Sequence, residues 1–183
     1  PLLDLAKILG KIGNQLVDSP IQSVSIECYG NIDDSKPIAF SNLIGILQDI
    51  TDTRINFVNA ALIAEERGIS FSNTLHSESV SYSNLIKTYI STEKSKIELS
   101  GSVFDSQYFR VVNVFGYELD FHPSGNMLFV QNQDVPGVIG KVGMLLSDAN
   151  INIGEYLLSR TISEEKAFSI IKVDEKIDRK LVE

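Results

Sequence analysis

A short break in the chain, His122-Pro123-Ser124-Gly125, constrains the fold more than any other feature of the sequence. Proline and glycine so close together interrupt both helices and strands, so this segment predicts a domain boundary. The 183 residues then divide into two small domains, each long enough for a hydrophobic core of its own. We place these domains at residues 20–124 and 125–183. Because the chain starts at Pro1 rather than Met, we expect it to be a piece of a longer protein.

The first domain has a mixed α/β pattern. Leucine and isoleucine recur every three or four residues over 2–17, which is typical of an amphipathic helix. Alternating apolar residues over 21–28 predict a strand with Cys28 on its buried face. Pro37 suits the first position of a second helix, where its missing N–H costs nothing. The remaining predicted elements are a short helix over 58–67 that ends at Gly68, and strands over 69–75, 84–91, 96–104, 108–115 and 117–121.

The second domain has the order β-α-β-β-α, which is most of a ferredoxin-like βαββαβ unit. We predict strands over 127–132, 151–159 and 167–173, a helix over 137–149 and a second helix from Asp174, with the last strand missing. The apolar residues of the helix over 137–149 predict a single face laid on a sheet. Gly140 and Gly143 weaken that helix, and a close approach of its backbone to the sheet would compensate. The overall fold class is therefore α+β. The apolar positions of that helix are Val138, Ile139, Val142, Leu145, Leu146 and Ala149.

Composition excludes several classes of function. With 16 basic and 24 acidic residues the formal net charge is −8, which argues against binding to nucleic acid or to an anionic membrane surface. No apolar run approaches the roughly 20 residues that span a bilayer. A single cysteine, Cys28, excludes an internal disulfide framework and a cysteine-based zinc site, so we expect a reducing, cytoplasmic location.

The residues of common enzyme chemistry are also missing. The sequence has neither a GxGxxG nor a GxxxxGK[ST] phosphate-binding motif, and no GxSxG nucleophile motif. Its two histidines, His76 and His122, do not have metal-ligand spacing. We therefore predict no catalytic residues, no metal site and no cofactor in this chain, and a binding or regulatory module is the favoured class.

Two groups of motifs resemble a known family. The segment NQDVPGVIGKVG over 132–143, followed by NIN over 150–152, resembles an ACT domain, a small amino-acid-sensing module. The segments VNAALIAEERGI over 58–69 and SGSVF over 100–104 resemble the intervening domain of long-form D-3-phosphoglycerate dehydrogenases. The chain departs from the family at Ala61, where proline is usual, and at Asn132, where an aromatic or imidazole ring is common.

The resemblance implies a regulatory fragment. It implies that residues 1–19 are a helix linking the chain to an absent catalytic part. It also implies a mixed α/β intervening domain, here able to bind substrate allosterically, followed by an ACT domain. In this family the parent enzyme uses NAD to oxidise D-3-phosphoglycerate in the first committed step of serine synthesis, and serine inhibits it. The resemblance further implies a cytoplasmic homodimer or homotetramer, with L-serine as effector.

The resemblance also implies an effector site in the ACT domain. The Asp134 carboxylate would pair with the ammonium group of serine, although the same residue can instead cap the following helix. The N–H groups of Gly137 and Val138 at the start of that helix would bind the carboxylate. Asn132 is the candidate for the hydroxyl. Asn152 would bridge either charged group, across an interface between two ACT domains, or else simply begin a strand.

A second implied site would bind an anion near the junction of the two domains. Arg110, His122 and Lys172 match basic positions of the family, and together they would attract a phosphate or another small anion. His122 stands where the family has arginine, which would weaken the site near neutral pH. The simpler interpretation is three surface bases at strand ends.

Two alternatives remain open. One is the regulatory portion of an L-serine dehydratase, an iron–sulfur enzyme, but cluster ligation needs several thiolates and Cys28 is alone. The other is an ACT-type dimerisation module that has lost its ligand, and the unusual Asn132 is compatible with that. A binding titration separates the second alternative from a serine sensor.

Overall fold

The computed structural model of the protein describes residues 1–51, 54–78, 81–161 and 165–178. The chain forms two compact units, Pro1–His122 and Pro123–Glu183. The division falls inside the break that the proline and glycine predict. Among the described residues, no helix is both long and apolar enough to cross a bilayer.

The first unit is a six-stranded sheet covered by helices. Its strand order is β2-β1-β3-β4-β5-β6, and all neighbours are antiparallel except β1 and β2. A parallel pair needs a long crossover, which α2 and α3 provide. The elements are α1 (Leu2–Leu16), β1 (Ile21–Gly30), α2 (Ser35–Leu47), α3 (Ala60–Glu66), β2 (Ser70–His76), β3 (Asn84–Thr92), β4 (Lys96–Phe104), β5 (Tyr108–Val114) and β6 (Tyr117–Phe121).

The core of the first unit lies between α1, α2 and the sheet. Alternate residues of β1 face the helices, and among them Ile26 and Cys28 are fully buried. Helix α2 packs on β1, whereas the apolar stripe of α1 packs on β3 and β4, with Leu5 and Leu9 also fully buried. The predicted inward position of Cys28 is therefore confirmed. Burial raises the pKa of the Cys28 thiol to about 12, so this cysteine behaves as a small apolar side chain.

Helices α1 and α2 approach each other until their backbones touch. A Cβ on Gly10 would overlap the carbonyl oxygen of Asn42, and a Cβ on Gly45 would overlap the carbonyl oxygen of Lys7. The buried Asn42 amide ties the layers together, because its Nδ2 donates to the Ala6 carbonyl (2.9 Å) and to Thr88 Oγ1 (2.8 Å). Glycine at these two crossing points is thus a requirement of helix packing.

Two local signals had different outcomes. The predicted start of α2 at Pro37 is wrong, because the helix begins at Ser35 and Asp34 caps it by accepting the Lys36 N–H at 2.9 Å. A capping carboxylate outweighs the preference of proline for the first position. The end of α3 is as predicted, since Gly68 has a left-handed φ of 71°.

The second unit has three antiparallel strands in the order β7-β9-β8. Its elements are β7 (Asn126–Gln133), α4 (Val138–Asp148), β8 (Ile153–Thr161) and β9 (Lys166–Val173). The β-α-β-β order and the antiparallel sheet confirm the ferredoxin-like prediction. The predicted helix from Asp174 is wrong over 174–178, which is irregular, and the rest of that prediction, 179–183, lies outside the described residues.

Helix α4 covers its sheet only in part. Leu146 is buried against Ile171 and Val173, whereas Ile139 is 52% and Leu145 60% exposed. The predicted face is therefore confirmed at Val142 and Leu146, which pack on the sheet, and wrong at Ile139 and Leu145. A sheet of three strands contacts a narrower stripe than the sequence pattern offers.

The glycines of α4 do not approach the sheet closely. A Cβ placed on Gly140 or on Gly143 would have no heavy atom within 4 Å. The predicted close approach of the helix backbone to the sheet is therefore wrong at both positions. These glycines leave open space, and Gly140 borders the cavity described next.

Candidate binding site at the start of helix α4

A cavity of about 360 Å³ lies in the second unit, beside the start of α4. The loop over 134–137 and the first turn of the helix form one wall. The opposite wall consists of sheet side chains. This volume is at the lower end of the range for small-molecule sites. The sheet residues that line it are Asn132, Tyr156, Leu158, Arg160, Ala167 and Ser169.

Strand register brings these sheet residues together. Tyr156, Leu158 and Arg160 alternate along β8 and so share one face. On the central strand, Ala167 is paired with Arg160 and Ser169 with Leu158. Ala167 is also paired with Asn132 of β7. The face that packs under the far end of α4 therefore continues, at the near end, into the floor of the cavity.

An ion pair lies at the mouth of the cavity. Arg160 Nε lies 3.3 Å from Asp134 Oδ2, with side chains 63% and 32% exposed. The Asp134 backbone N–H donates to the Glu165 carbonyl at 2.8 Å, which anchors the loop. An exposed pair of this kind adds little to stability, so a charged ligand can replace either partner at small cost.

Helix α4 begins without a side-chain cap. Its N-cap is Gly137, with a left-handed φ of 93°, and no side-chain capping bond is made to it by the described residues. The capping interpretation of Asp134 is therefore wrong, because its carboxylate pairs with Arg160 instead. The N–H groups at the start of α4 carry the positive end of the helix dipole to the edge of the cavity.

The floor of the cavity holds an unsatisfied hydroxyl. Ser169 is 1% exposed, and its Oγ has no hydrogen-bond partner within the described part of the chain. A buried polar group without a partner is costly and uncommon in native structures.

The structure brings together four of the five predicted effector-binding residues. Asn132, Asp134, Gly137 and Val138 all line the cavity. The Asn132 amide is partly engaged, because its Nδ2 donates to the Gln133 carbonyl at 2.6 Å. That these residues bind an effector stays a prediction.

Asn152, the fifth residue, is not among those lining the cavity. It follows α4 at the other end of the helix, and its Nδ2 donates to Asp174 Oδ2 at 2.7 Å. Its backbone N–H donates to Glu175 Oε2 at 3.0 Å. Within one chain, Asn152 therefore interacts with the segment after β9 rather than with Asp134.

The three bases of the predicted anion site each have a partner in their own unit. Arg110 pairs with the Asp120 carboxylate and also donates from Nη2 to the Asp120 carbonyl at 3.2 Å. His122 Nδ1 lies 3.3 Å from the Phe109 carbonyl oxygen. In the second unit, Lys172 Nζ lies 2.9 Å from Glu155. Convergence of the three bases on one anion stays a prediction.

No group of three or more potential metal ligands occurs among the described residues. Sequence reasoning missed Arg160 and Ser169, although a weak signal existed for both. Arg160 has the same strand parity as Tyr156 and Leu158, which places a cation on an otherwise apolar face. Ser169 interrupts the apolar run over 167–171.

Comparison with known proteins agrees with both halves of the chain. Residues 1–115 match the model of the D-3-phosphoglycerate dehydrogenase intervening domain, and residues 126–183 match that of the ACT domain. The D-3-phosphoglycerate dehydrogenase of Bacillus subtilis is 33% identical over 181 residues, covering 96% of this chain and 34% of the relative. That of Methanocaldococcus jannaschii is 30% identical over 185 residues, covering 100% and 35%.

The chain thus spans about a third of the length of these relatives. The intervening-domain match alone extends over more than half of the chain, and the motifs at 58–69 and 100–104 lie within it. The resemblance of those motifs is therefore confirmed. The protein belongs to the D-3-phosphoglycerate dehydrogenase intervening-domain family, and it carries an ACT domain after that domain.

Proposed function

We propose that this chain is the regulatory region of a D-3-phosphoglycerate dehydrogenase and that it binds L-serine in the cavity beside α4. One observation carries the proposal. A carboxylate and a guanidinium, those of Asp134 and Arg160, face each other at 3.3 Å at the mouth of a cavity of about 360 Å³. A free amino acid is a small zwitterion, and it needs one partner of each charge.

The positions of the groups suit such a ligand. The ammonium group pairs with Asp134 in place of Arg160, and the released Arg160 guanidinium is then a partner for the ligand carboxylate. The carboxylate meets the uncapped N–H groups of Gly137 and Val138, where the helix dipole favours a negative charge. Asn152 of a second copy would complete the site from outside, in line with the homo-oligomer that the family resemblance implies.

The role in a whole enzyme follows from the relatives. They are named D-3-phosphoglycerate dehydrogenase and are about three times as long as this chain. We assign NAD binding and the oxidation of D-3-phosphoglycerate to the remaining part of such a protein, in the cytoplasm. Serine bound to the ACT domain would then act on a reaction of which it is the distant product.

Calorimetric titration of L-serine into the protein tests the proposal. We expect saturable binding by the wild type and a loss of affinity of about 10- to 100-fold in Asp134→Ala, because an ammonium group loses a charge-assisted bond. Asp148→Ala removes an exposed carboxylate from the other end of α4 and should bind as the wild type does. Equal affinity in wild type and Asp134→Ala contradicts the assignment of Asp134. A wild type that binds no serine supports the ligand-free dimerisation module.

A further inference from the structure

We infer that Ser169 selects the ligand of the cavity, by admitting small L-amino acids whose short side chain carries a hydroxyl or amide and discriminating against those with an apolar one. This inference rests on the proposed function and adds a specificity-determining residue to it. Ser169 was not among the residues that the family resemblance implies.

The first step is the state of the hydroxyl. Ser169 is 1% exposed, and no described residue accepts from or donates to its Oγ. The residue nevertheless lines the cavity. The hydroxyl is therefore buried and unpaired beside a cavity of about 360 Å³. It can form a hydrogen bond with a ligand that enters this cavity.

The second step is the distance from the charged mouth. Ala167 is paired with Arg160, and Ser169 is the next residue of β9 on the same face. Two residues along a strand span about 6.6 Å. A small amino acid held by its charged groups at the level of Arg160 and Asp134 can therefore extend a short side chain to within hydrogen-bonding reach of Ser169.

The third step is the available space. Ala167 is small, and a Cβ on Gly140 would have no heavy atom within 4 Å, so neither wall blocks the path between mouth and floor. Leu158, which is paired with Ser169, presents aliphatic carbon beside it. Tyr156 is paired with Ile171, one step further from the mouth, and its phenol is a second hydroxyl in the lining. Ser169 is thus the first hydroxyl-bearing residue along the sheet from the mouth, whereas Asn132 lies at the level of the mouth.

The fourth step is the consequence for selection. A ligand hydroxyl forms a hydrogen bond with Ser169. A methyl group in the same place leaves the Ser169 hydroxyl without a partner and displaces any water that occupied the cavity. Sites that pair a buried polar group with the ligand discriminate strongly against analogues that lack the partner. L-serine and L-alanine differ by that one hydroxyl.

The test is a titration of L-serine and L-alanine into the wild type and into Ser169→Ala. We expect the wild type to bind L-serine about tenfold or more tightly than L-alanine, and Ser169→Ala to reduce the ratio to within about twofold. Ser159→Ala is the matched control, because Ser159 lies on β8 with the parity of the opposite face and should keep the wild-type ratio. Ser169→Cys keeps the volume with a weaker donor and should give an intermediate ratio.

The outcomes separate the two proposals. If Ser169→Ala folds as the wild type does and keeps the full preference for serine, Ser169 is only a structural residue and the inference is wrong. If the wild type binds serine and alanine equally, the inference is also wrong while amino-acid binding stands. If the wild type binds neither, the proposed function fails and the inference fails with it.

Discussion

Glycines in the helices of the two units have opposite surroundings: tight backbone contact in the first unit and open space in the second. In the first unit, Gly10 and Gly45 let α1 and α2 touch, and any Cβ there would overlap a backbone oxygen. In the second unit, Gly140 and Gly143 of α4 face open space. We call the first helix layer closed, because its glycines allow the two helices to pack in backbone contact. We call the second layer open, because its helix borders a cavity.

Small polar side chains under the helices show the same contrast. Asn42 of the first unit is buried and donates two hydrogen bonds, at 2.9 and 2.8 Å. Ser169 of the second unit is buried equally well, but its hydroxyl has no partner among the described residues. Asn42 Oδ1 and His76 Nε2 of the first unit also lack a partner among the described residues, but neither residue lines the cavity beside α4. What distinguishes Ser169 is therefore its position, because an unsatisfied group beside a cavity is suited to binding.

The largest expected effect tests the closed side of this comparison. Gly45→Ala should lower the free energy of unfolding of the first unit by about 3 kcal/mol or more, because the new Cβ overlaps the Lys7 carbonyl and the backbone of α1 cannot move aside cheaply. Denaturant unfolding followed by tyrosine fluorescence measures this, since of the six tyrosines only Tyr156 belongs to the second unit. A loss below about 1 kcal/mol, within the range of ordinary substitutions, would mean that the two helices separate easily.

The secondary structure was largely predictable because local patterns determine it. Strands β4 and β6 begin and end where short runs of β-branched and aromatic residues predict them, and α1 differs by one residue at its end. The start of α2 was wrong because a capping carboxylate at Asp34 competed with Pro37. Such errors arise when two local signals conflict, and the sequence alone does not rank them.

The candidate site was less predictable because it depends on tertiary neighbours. The loop residues Asp134 and Gly137 are recognisable from their motif, but Arg160 and Ser169 reach the cavity only through the pairing of β8 with β9. The resemblance placed Asn152 in the site across an interface between two ACT domains; within one chain it lies at the far end of α4 and bonds to Asp174, so its role stays a prediction. The pattern along α4 likewise did not predict how much of the helix its narrow sheet would cover.

A smaller effect concerns the pH dependence of the closed core. Burial raises the pKa of the Cys28 thiol from 9.0 to about 12. Below pH 9 both folded and unfolded thiols keep their proton, so Cys28 contributes no pH dependence there. Above pH 9 the unfolded thiol ionises first, and stability should fall by about 1.4 kcal/mol per pH unit until the folded thiol also ionises.

Unfolding curves at pH 8 and pH 10 measure this loss. Tyr29 and Tyr89 have pKa values raised to about 12, so they also lower stability at alkaline pH. The quantity that isolates Cys28 is therefore the difference between the wild type and Cys28→Ala. We expect the variant to lose about 1.4 kcal/mol less than the wild type between the two pH values. An equal loss in both proteins would show that solvent reaches the thiol and that the core is less closed than its packing indicates.

The smallest effect tests the open side. Gly143→Ala should raise the free energy of unfolding of the second unit by up to about 1 kcal/mol, because alanine is the better helix former and its Cβ would meet no heavy atom within 4 Å. Thermal unfolding followed by circular dichroism measures the change. Gly140→Ala should give a similar gain but should also weaken serine binding, since its methyl group enters the cavity that Gly140 borders.

If Gly143→Ala instead destabilised the protein, a neighbour would have to cover that side of α4, for example a second copy packed on the exposed Met144 and Leu145. The sign of this one small change therefore distinguishes a helix that is open in solution from one that is covered in an oligomer.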